Sequence, residues 1–178
     1  KQAAVALEHL AHYDALTSLP NRSLLADRMV MAMASARRTS NRLAVALLDL
    51  DGFKPVNDQH GHEVGDQVLR EEAQVLQSQT RGSDVAARYG GEEFTVILPA
   101  TDAKAALHVA ERIRAATEAA VFEEGTIDLK LTISVGVATC PDAPSIHDLI
   151  VDADTALYAA KHQGRNRIIL SEKVYESS

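Results

Sequence analysis

The uninterrupted apolar run at residues 43–48 (LAVALL) limits what this chain can fold into more than any other segment. It is far too short to span a bilayer. Its continuity is typical of a strand that is buried on both faces of a sheet. Asp49 and Asp51 follow directly, and acidic residues at the end of a buried strand are costly unless they are solvated, paired or bound to metal.

Helical and extended patterns alternate along the rest of the chain. Apolar periodicity predicts helices at residues 24–38, 63–79 and 104–120, and a last helix that runs from a Ser145 cap to a stop at Gly164. Four further segments predict strands, at residues 85–89, 94–98, 131–139 and 167–170. Residues 14–22 are expected to form a loop. The alternation predicts an α/β or α+β fold, and no linker or repeat divides it.

Composition excludes several functional classes. The chain has 178 residues, the size of one domain, and its net charge of −7 argues against a strongly basic surface that binds nucleic acid. Cys140 is the one cysteine in the sequence, so no internal disulfide can form and a reducing compartment fits best. Because the sequence opens at Lys1 rather than at methionine, we expect it to be part of a longer protein.

A glycine-rich joint carries the next acidic residues. The segment GGEE at residues 90–93 joins two predicted strands, and its paired glycines favour a hairpin turn with positive φ. If this hairpin lies beside the strand that ends at Asp49, carboxylates from both places would form an oxygen-rich site suited to Mg²⁺. Acidic residues are also common in turns, so the spacing alone leaves equally open that they only decorate the turns.

Two groups of basic and polar residues could bind phosphate or a base. Lys54 lies in a segment expected to be a loop, and Asn57 and Asp66 nearby offer an amide and a carboxylate that could pair with a base edge. Lys161 and Arg165 stand four residues apart and form a second candidate phosphate site. The alternative is that these two form a cationic helix C-terminus, which the helix dipole favours.

Together these segments resemble the GGDEF domain of diguanylate cyclases, with glutamate in the third place of the signature. The resemblance rests on six motifs that occur in order over residues 14–170: DALTSLPNR at 14–22, DLDGFKPVND at 49–58, GHEVGDQVLR at 61–70, GGEEF at 90–94, TISVGVA at 132–138 and ALYAAKHQGRN at 156–166. One such motif would be weak evidence, whereas six in the right order are strong.

The resemblance implies a fold and a reaction. The fold is α+β, a central and mainly antiparallel five-stranded sheet flanked by helices, with a ferredoxin-like core related to nucleotide cyclase and polymerase palm domains. The reaction condenses two GTP molecules into cyclic di-GMP and releases pyrophosphate. Each domain holds one GTP, so the resemblance implies a homodimer. It implies no contact with nucleic acid or, for this part of the protein, with a membrane.

The resemblance also assigns the active-site residues. It implies that Mg²⁺, or Mn²⁺ in its place, is held by Asp49, Glu92 and the backbone carbonyl of Leu50, with Glu93 as a further ligand. Glu92 would also be the base for the attacking 3′-hydroxyl, and Lys54 would stabilise phosphate charge. The remaining substrate contacts would be the guanine-binding Asn57 and Asp66, the neighbouring His62, and the phosphate-binding Phe53 backbone, Gly90, Gly91, Lys161 and Arg165.

An inhibitory site is implied as well. Arg81 and Asp84 have the spacing of the family's RxxD motif upstream of the signature, which binds cyclic di-GMP. Arginine can bind guanine O6 and N7 in bidentate fashion. Arg112 matches a position that supplies a second arginine from a neighbouring site. Without the resemblance, Arg81 and Asp84 would be a surface ion pair and Arg112 an exposed helix charge.

The resemblance divides the chain into the end of an upstream signalling helix at residues 1–13, the cyclase domain at 14–172 and a C-terminal tail at 173–178. We expect a cytoplasmic domain within a parent protein that could be membrane-anchored. Glu72 interrupts an apolar stripe, and we expect it to reach a rim or a partner. The alternative functions are a catalytically silent sensor of GTP or cyclic di-GMP, and a mononucleotide cyclase or polymerase-like enzyme on the same fold.

Overall fold

The computed structural model describes residues 7, 9–140 and 145–173. The longer helices within this part are α1 (Arg22–Thr39), α2 (Phe53–His60), α3 (His62–Gln79), α4 (Ala103–Ala119) and α5 (Ile146–His162). The strands are β1 (Leu43–Asp51), β2 (Val85–Gly90), β3 (Glu93–Pro99), β4 (Phe122–Glu124), β5 (Ile127–Leu129), β6 (Thr132–Cys140) and β7 (Ile168–Leu170). Among the described residues, no helix combines the length and the apolar character needed to cross a membrane.

Five strands form one sheet in the order β2-β3-β1-β6-β7, and β4 and β5 form a separate hairpin. Strand β1 lies in the middle and is antiparallel to β3 on one side and to β6 on the other. Strand β7 runs parallel to β6 at the edge. The expectation of a mainly antiparallel five-stranded sheet with flanking helices is therefore confirmed.

Strand β1 is apolar from Leu43 to Leu48 because this part of it separates two cores. Ala44 and Leu48 belong to the core that includes residues of α3 and α4, whereas Leu43 and Val45 belong to the core that includes residues of α1 and α5. All four side chains are fully buried. A strand with one polar face could not fill this place, which explains why the run lacks the alternation of a half-exposed strand.

Helix α5 touches the sheet backbone at Gly136 of β6. A Cβ added there would lie 2.1 Å from the carbonyl oxygen of Ala153 and 2.2 Å from the backbone nitrogen of Leu157. Any side chain at this position would push the helix away from the sheet. The close approach holds α5 over the sheet, and the last turn of the same helix carries Lys161.

Two elements differ from what the sequence predicts. Residues 53–60 form helix α2 rather than a loop, because Pro55 is the third residue of the helix, where its missing N–H needs no intrahelical acceptor. The β4–β5 hairpin is not predicted at all. Each of its strands has only three residues, too few to show a hydrophobic period.

Glu72 does not reach a rim, but it does have a partner. Its side chain is fully buried, and Thr117 Oγ1 lies 2.9 Å from its Oε1. Burial raises the pKa of Glu72 to about 8, and the hydrogen bond to Thr117 opposes this only in part. The same hydroxyl lies 3.0 Å from the carbonyl oxygen of Ile113. A neutral Glu72 can donate to Thr117, which can then donate to Ile113, so no charge is buried.

Candidate active site

The candidate site begins where β1 leaves the core of the sheet. In the antiparallel pairing of β1 with β3, Asp49 lies opposite Glu93. The N–H of Leu50 donates to the carbonyl oxygen of Glu92 at 3.3 Å. The strand that ends beyond Asp49 and the hairpin that carries the two glutamates are therefore neighbours, which is the condition that the predicted oxygen-rich site requires.

The turn between β2 and β3 adopts the left-handed backbone conformation at its second glycine. Gly91 has φ +52°, in the left-handed region, whereas Gly90 is the last residue of β2 and has no positive φ. The expected hairpin turn with positive φ is thus confirmed at Gly91, whereas Gly90 still pairs with Glu93 as part of the strand. A Cβ added at either glycine would meet nothing within 4 Å, so the hairpin backbone is open to an approaching group.

The acidic side chains at this edge carry excess negative charge. Asp49 is 5% exposed, and its Oδ2 lies 2.8 Å from Nζ of Lys161. Burial raises the pKa of Asp49 to about 6; the hydrogen bond and the charge of Lys161 oppose this rise, and the charges of Glu92 and Glu93 reinforce it. The one ammonium group that acts on Asp49 does not balance three carboxylates, so an additional cation would be favourable here.

The donor set fits a hard divalent cation. Asp49, Glu92, Glu93 and the Leu50 carbonyl offer oxygen atoms only, which Mg²⁺ prefers. Within the described ranges, no three acidic, histidine or cysteine side chains are arranged so that they could hold a metal ion by themselves. Mg²⁺ usually keeps several waters and takes one or two carboxylates from the protein, so an open set of oxygen donors suits it.

The residues after β1 open helix α2. Its N-cap is Gly52, at φ +75°, which supplies no side-chain acceptor for the first turn. The N–H groups of Phe53 and Lys54 therefore lie at a helix N-terminus, where anions bind readily. Lys54 Nζ pairs with Asp58 at 2.9 Å, and both side chains are largely exposed. A pair of this kind breaks at little cost, so Lys54 is available to a phosphate.

Asn57 of α2 lies against α3 at Gly65, the residue before Asp66. A Cβ added at Gly65 would lie 1.9 Å from Oδ1 of Asn57, so the amide lies directly against the Gly65 backbone. Both polar residues are half-buried, and His62 is exposed at the first position of α3. Gly65 makes this approach possible. No periodicity indicates that role, and its place inside the GHEVGD motif is the only sequence signal.

Arg81 and Asp84 form the turn between α3 and β2. The Asp84 side chain is fully buried; it accepts the N–H of Arg81 at 2.8 Å and lies 3.4 Å from the Arg81 guanidinium. The guanidinium also donates to Thr101 at 3.1 Å. A groove of about 620 Å³ lies beside this turn, and its lining includes Tyr13 and Arg28. Because the acid is buried, the pair differs from an ordinary surface ion pair.

Arg112 lies beside the same turn in its own chain. It extends from α4 and donates to the carbonyl oxygen of Gln79 at 2.6 Å, two residues before Arg81. Gln79 ends α3, so Arg112 satisfies one of the last carbonyl groups of that helix.

Comparisons with known proteins agree with this fold and this set of residues. The family model described as "Diguanylate cyclase, GGDEF domain" matches residues 11–167. The chain belongs to this family. It is 40% identical over 161 residues to the bifunctional diguanylate cyclase/cyclic di-GMP phosphodiesterase MucR of Pseudomonas aeruginosa, a match that covers 90% of this chain and 23% of MucR.

Two further relatives extend the comparison. Diguanylate cyclase DosC of Escherichia coli K12 is 39% identical over 163 residues, which cover 91% of this chain and 35% of DosC. The crystal structure of the coiled coil and GGDEF domain of DgcB from Caulobacter crescentus, in complex with c-di-GMP, has a TM-score of 0.89 at 34% identity and covers 95% of this chain and 90% of that one. The chain thus spans 23% and 35% of the two curated relatives.

Arg88 of this GGDEF domain makes contacts that the pattern of its own segment does not indicate. Its guanidinium donates to the carboxylate of Asp14 at 3.1 Å and to the Gly91 carbonyl oxygen at 2.9 Å. Burial raises the pKa of Asp14, but hydrogen bonds from Thr17 and Arg88 outweigh it and hold that pKa below its usual value. Arg88 therefore ties the signature turn to the loop before α1. The place of Asp14 and Thr17 in the first motif is the signal that leads to it.

Proposed function

We propose that this GGDEF domain condenses two GTP molecules into cyclic di-GMP and releases pyrophosphate. The observation that carries the proposal is the meeting of Asp49, the Glu92–Glu93 hairpin and Lys161 at the end of β1. Attack on an α-phosphate develops negative charge on phosphoryl oxygens, so a catalyst needs metal ligands and cationic side chains in one place. Relatives named as diguanylate cyclases, such as DosC, support the same activity.

The family generally uses a divalent metal, and we propose Mg²⁺ for this domain, with Mn²⁺ able to replace it. Asp49, Glu92 and the carbonyl of Leu50 would hold the ion, and Glu93 would be a further ligand. When bound, the ion would counter charge on the α-phosphate and make the attacking hydroxyl more acidic. Lys161 is one-third exposed, so it could turn from Asp49 to the triphosphate.

Side chains of the domain would perform the remaining steps. Glu92 would take the proton of the 3′-hydroxyl of one GTP while that oxygen bonds to the α-phosphorus of the other, and pyrophosphate would leave with the bonding electron pair. A second attack of the same kind closes the ring. Lys54, Lys161 and Arg165 would hold the phosphate oxygens, together with the N–H of Phe53 and the open backbone of the hairpin glycines.

Guanine recognition is proposed at the junction of α2 and α3. Asp66 can accept from the N–H donors of guanine, and the amide of Asn57 can donate to a ring acceptor. The close approach of the Asn57 amide to Gly65 supports this role, since it holds the amide at the residue before Asp66 in α3. His62 would flank the base from the start of α3. Adenine carries an amino donor where guanine carries O6, so GTP should be preferred to ATP.

Catalysis would require two copies of the domain, because each copy would hold one GTP and the product joins both. We propose a homodimer for this reason. Residues 14–172 would be the cyclase domain, and the segments expected on either side of it, at residues 1–13 and 173–178, lie largely outside the described residues. The relatives MucR and DosC are much longer than this chain, which supports a role as the output domain of a larger signalling protein.

We also propose product inhibition at the Arg81 turn. The buried carboxylate of Asp84 orients Arg81, and the adjoining groove has the volume of a small-molecule site. Arg81 would bind guanine O6 and N7 of cyclic di-GMP, and Arg112 of a neighbouring copy would add a second cation. The DgcB structure in complex with c-di-GMP supports binding of this ligand within the family.

Mass spectrometry of the products formed from GTP and Mg²⁺ tests the proposed function, over a range of protein concentrations because turnover needs two copies. We expect cyclic di-GMP from the wild type and a loss of at least about a hundredfold in Glu92→Ala. Glu123→Ala, on the exposed side of β4, is the matched control and should retain full turnover. Full turnover in Glu92→Ala would contradict its role, and GTP binding without product in the wild type would favour the sensor alternative.

A further inference from the structure

The turn that follows α5 has an uncommon backbone. Gly164, Arg165 and Asn166 all have positive φ, at +120°, +60° and +46°. A Cβ disfavours the left-handed conformation, so two successive residues with side chains adopt it only where their surroundings impose it. Arg165 is one of the proposed triphosphate ligands, so whatever holds this turn also sets the point from which Arg165 projects.

Asp51 holds the turn from the side of the sheet. Its carboxylate accepts the N–H of Asn166 at 3.1 Å. It also accepts the hydroxyl groups of Thr132 and Ser134 on β6, at 2.7 Å and 2.8 Å. Three donors from two segments therefore fix this carboxylate at the end of β1, and the Asn166 backbone is tied to it.

Helix α4 holds the turn from the other side, through the Asn166 side chain. Oδ1 of Asn166 accepts from Arg114 at 2.7 Å, and Nδ2 donates to Glu118 at 2.9 Å. Arg114 is itself oriented by two glutamates of its own helix, since it donates to Glu118 and to Glu111, each at 2.7 Å. Both ends of the Asn166 amide are thus occupied by groups that are already fixed.

We propose that four side chains form a positioning device for GTP, the Asn166 clasp: Asp51, Arg114, Glu118 and Asn166. The clasp keeps the 164–166 turn left-handed and thereby fixes the backbone of Arg165. No contact with substrate is assigned to these four side chains, which act through Arg165. The inference therefore rests on the proposed function, in which Arg165 binds the triphosphate.

The position of Arg165 explains why the clasp should matter for binding. The N–H of Arg165 donates to the carbonyl of Ala160 at 3.0 Å, and its own carbonyl accepts from Arg167 Nε at 3.0 Å. Arg165 and Lys161 thus extend from one fixed helix end. Cations that are held in place lose less freedom when they bind a triphosphate, so the clasp should strengthen GTP binding.

Hydrogen–deuterium exchange without nucleotide tests the clasp itself. Asn166→Ala removes the side-chain bonds and keeps the Cβ, whereas Asn166→Gly removes the same bonds but relieves the backbone strain. Amides of residues 164–167 should exchange faster in both variants, and Lys104→Ala, an exposed change on α4, should leave them as in the wild type. Wild-type exchange in both Asn166 variants would overturn the clasp. Wild-type exchange in Asn166→Gly alone would show that φ preference, and not the clasp, holds the turn.

A double-mutant cycle tests whether the clasp acts through Arg165. Binding of a non-hydrolysable GTP analogue with Mg²⁺ is measured by calorimetry for Arg165→Ala, Asn166→Ala and the double variant. We expect each single change to weaken binding about tenfold, and the double variant to bind no more weakly than Arg165→Ala. Asp51→Asn, which keeps one acceptor oxygen for the Asn166 N–H, should lose less affinity than Asp51→Ala.

The outcomes separate this inference from the proposed function. Additive losses in the cycle, or unchanged affinity in Arg165→Ala, would overturn positioning through Arg165. Unchanged affinity in Asn166→Ala with a lower unfolding temperature would also overturn it, because a purely structural role predicts that result. If the wild type bound no GTP analogue at all, the proposed function would fail, and the exchange experiment would still decide whether the clasp holds the turn.

Discussion

The carboxyl groups of Asp49 and Glu72 are buried to a similar degree in this domain, and yet their surroundings favour the ionised form of Asp49 and the neutral form of Glu72. Asp49 is 5% exposed and Glu72 is 0% exposed, and burial raises their pKa values to about 6 and about 8. The difference lies in what faces each of them. Asp49 has the ammonium group of Lys161 at 2.8 Å, whereas Glu72 has the hydroxyl of Thr117 at 2.9 Å.

A nearby cation supports the ionised form of an acid, and a hydroxyl does so only weakly. Asp49 also lies at the open end of the sheet, where a metal or a phosphate can approach. Glu72 lies in the contact of α3 with α4, away from that end. Replacement of Asp49 by a neutral residue should therefore reduce catalysis, whereas replacement of Glu72 by a neutral residue should change the stability of the fold.

The largest effect is expected for Asp49→Asn, which removes the charge and keeps the shape. Metal binding and phosphoryl transfer both depend on this carboxylate in the proposed mechanism, so turnover should fall by about a hundredfold to a thousandfold. Lys161 is partly exposed and can be solvated after the loss of its partner, so the unfolding temperature should change by less than about 4 °C. Product formation and thermal unfolding measure the two quantities. Turnover within a factor of two of the wild type would remove Asp49 from the proposed metal site.

An intermediate effect, on stability alone, is expected for Glu72→Gln. The pKa of Glu72 is about 8 in the folded chain against about 4.5 in the unfolded chain, so the folded state binds the extra proton between these values. Wild-type stability should therefore fall as pH rises from about 4.5 to about 8, and level off above. Glutamine stays neutral, so the variant should match the wild type near pH 4.5 and exceed it by roughly 4–5 kcal/mol near pH 8.5.

Urea unfolding of both proteins at a series of pH values measures this difference, and other titrating groups cancel in the comparison. Turnover at a fixed pH should be the same in both, because Glu72 lies outside the proposed site. Thr117→Val provides a control for the pairing: it should destabilise the wild type by about 1–3 kcal/mol and the Glu72→Leu variant by much less. Parallel pH curves for the wild type and Glu72→Gln would show that Glu72 is ionised in the folded state.

The contrast between these two acids also shows what a sequence can reveal. Strand β1 is predictable because a strand between two cores must be apolar on both faces. The proximity of Asp49 to the Glu92–Glu93 hairpin can be predicted once β1 and β3 are assumed to pair. Glu72 lies on the buried face of α3, as its place in the stripe indicates, but periodicity does not reveal that Thr117 of the next helix stands opposite.

Contacts between segments that are distant in sequence explain the other gaps. Arg88 reaches Asp14 across 74 positions, and the N–H of Asn166 reaches Asp51 across 115. Neither contact leaves a periodic trace, because each residue obeys only the pattern of its own segment. Helix α2 is missed for a different reason. Proline marks loops more often than it marks the first turn of a helix, and the eight residues of α2 are too few to show a helical period.

The smallest effect is expected for Asp58→Ala, which removes the exposed partner of Lys54. The two side chains are 62% and 82% exposed, so water replaces the lost contact and stability should change by less than about 0.5 kcal/mol. The affinity for a GTP analogue should stay the same or rise slightly, because Lys54 no longer has a competing carboxylate. Urea unfolding and calorimetry of the same variant measure both quantities. A loss of more than about 1 kcal/mol would place this pair with the buried carboxylates rather than with solvated surface charges, and a marked loss of affinity would show that Asp58 orients Lys54 for the phosphates.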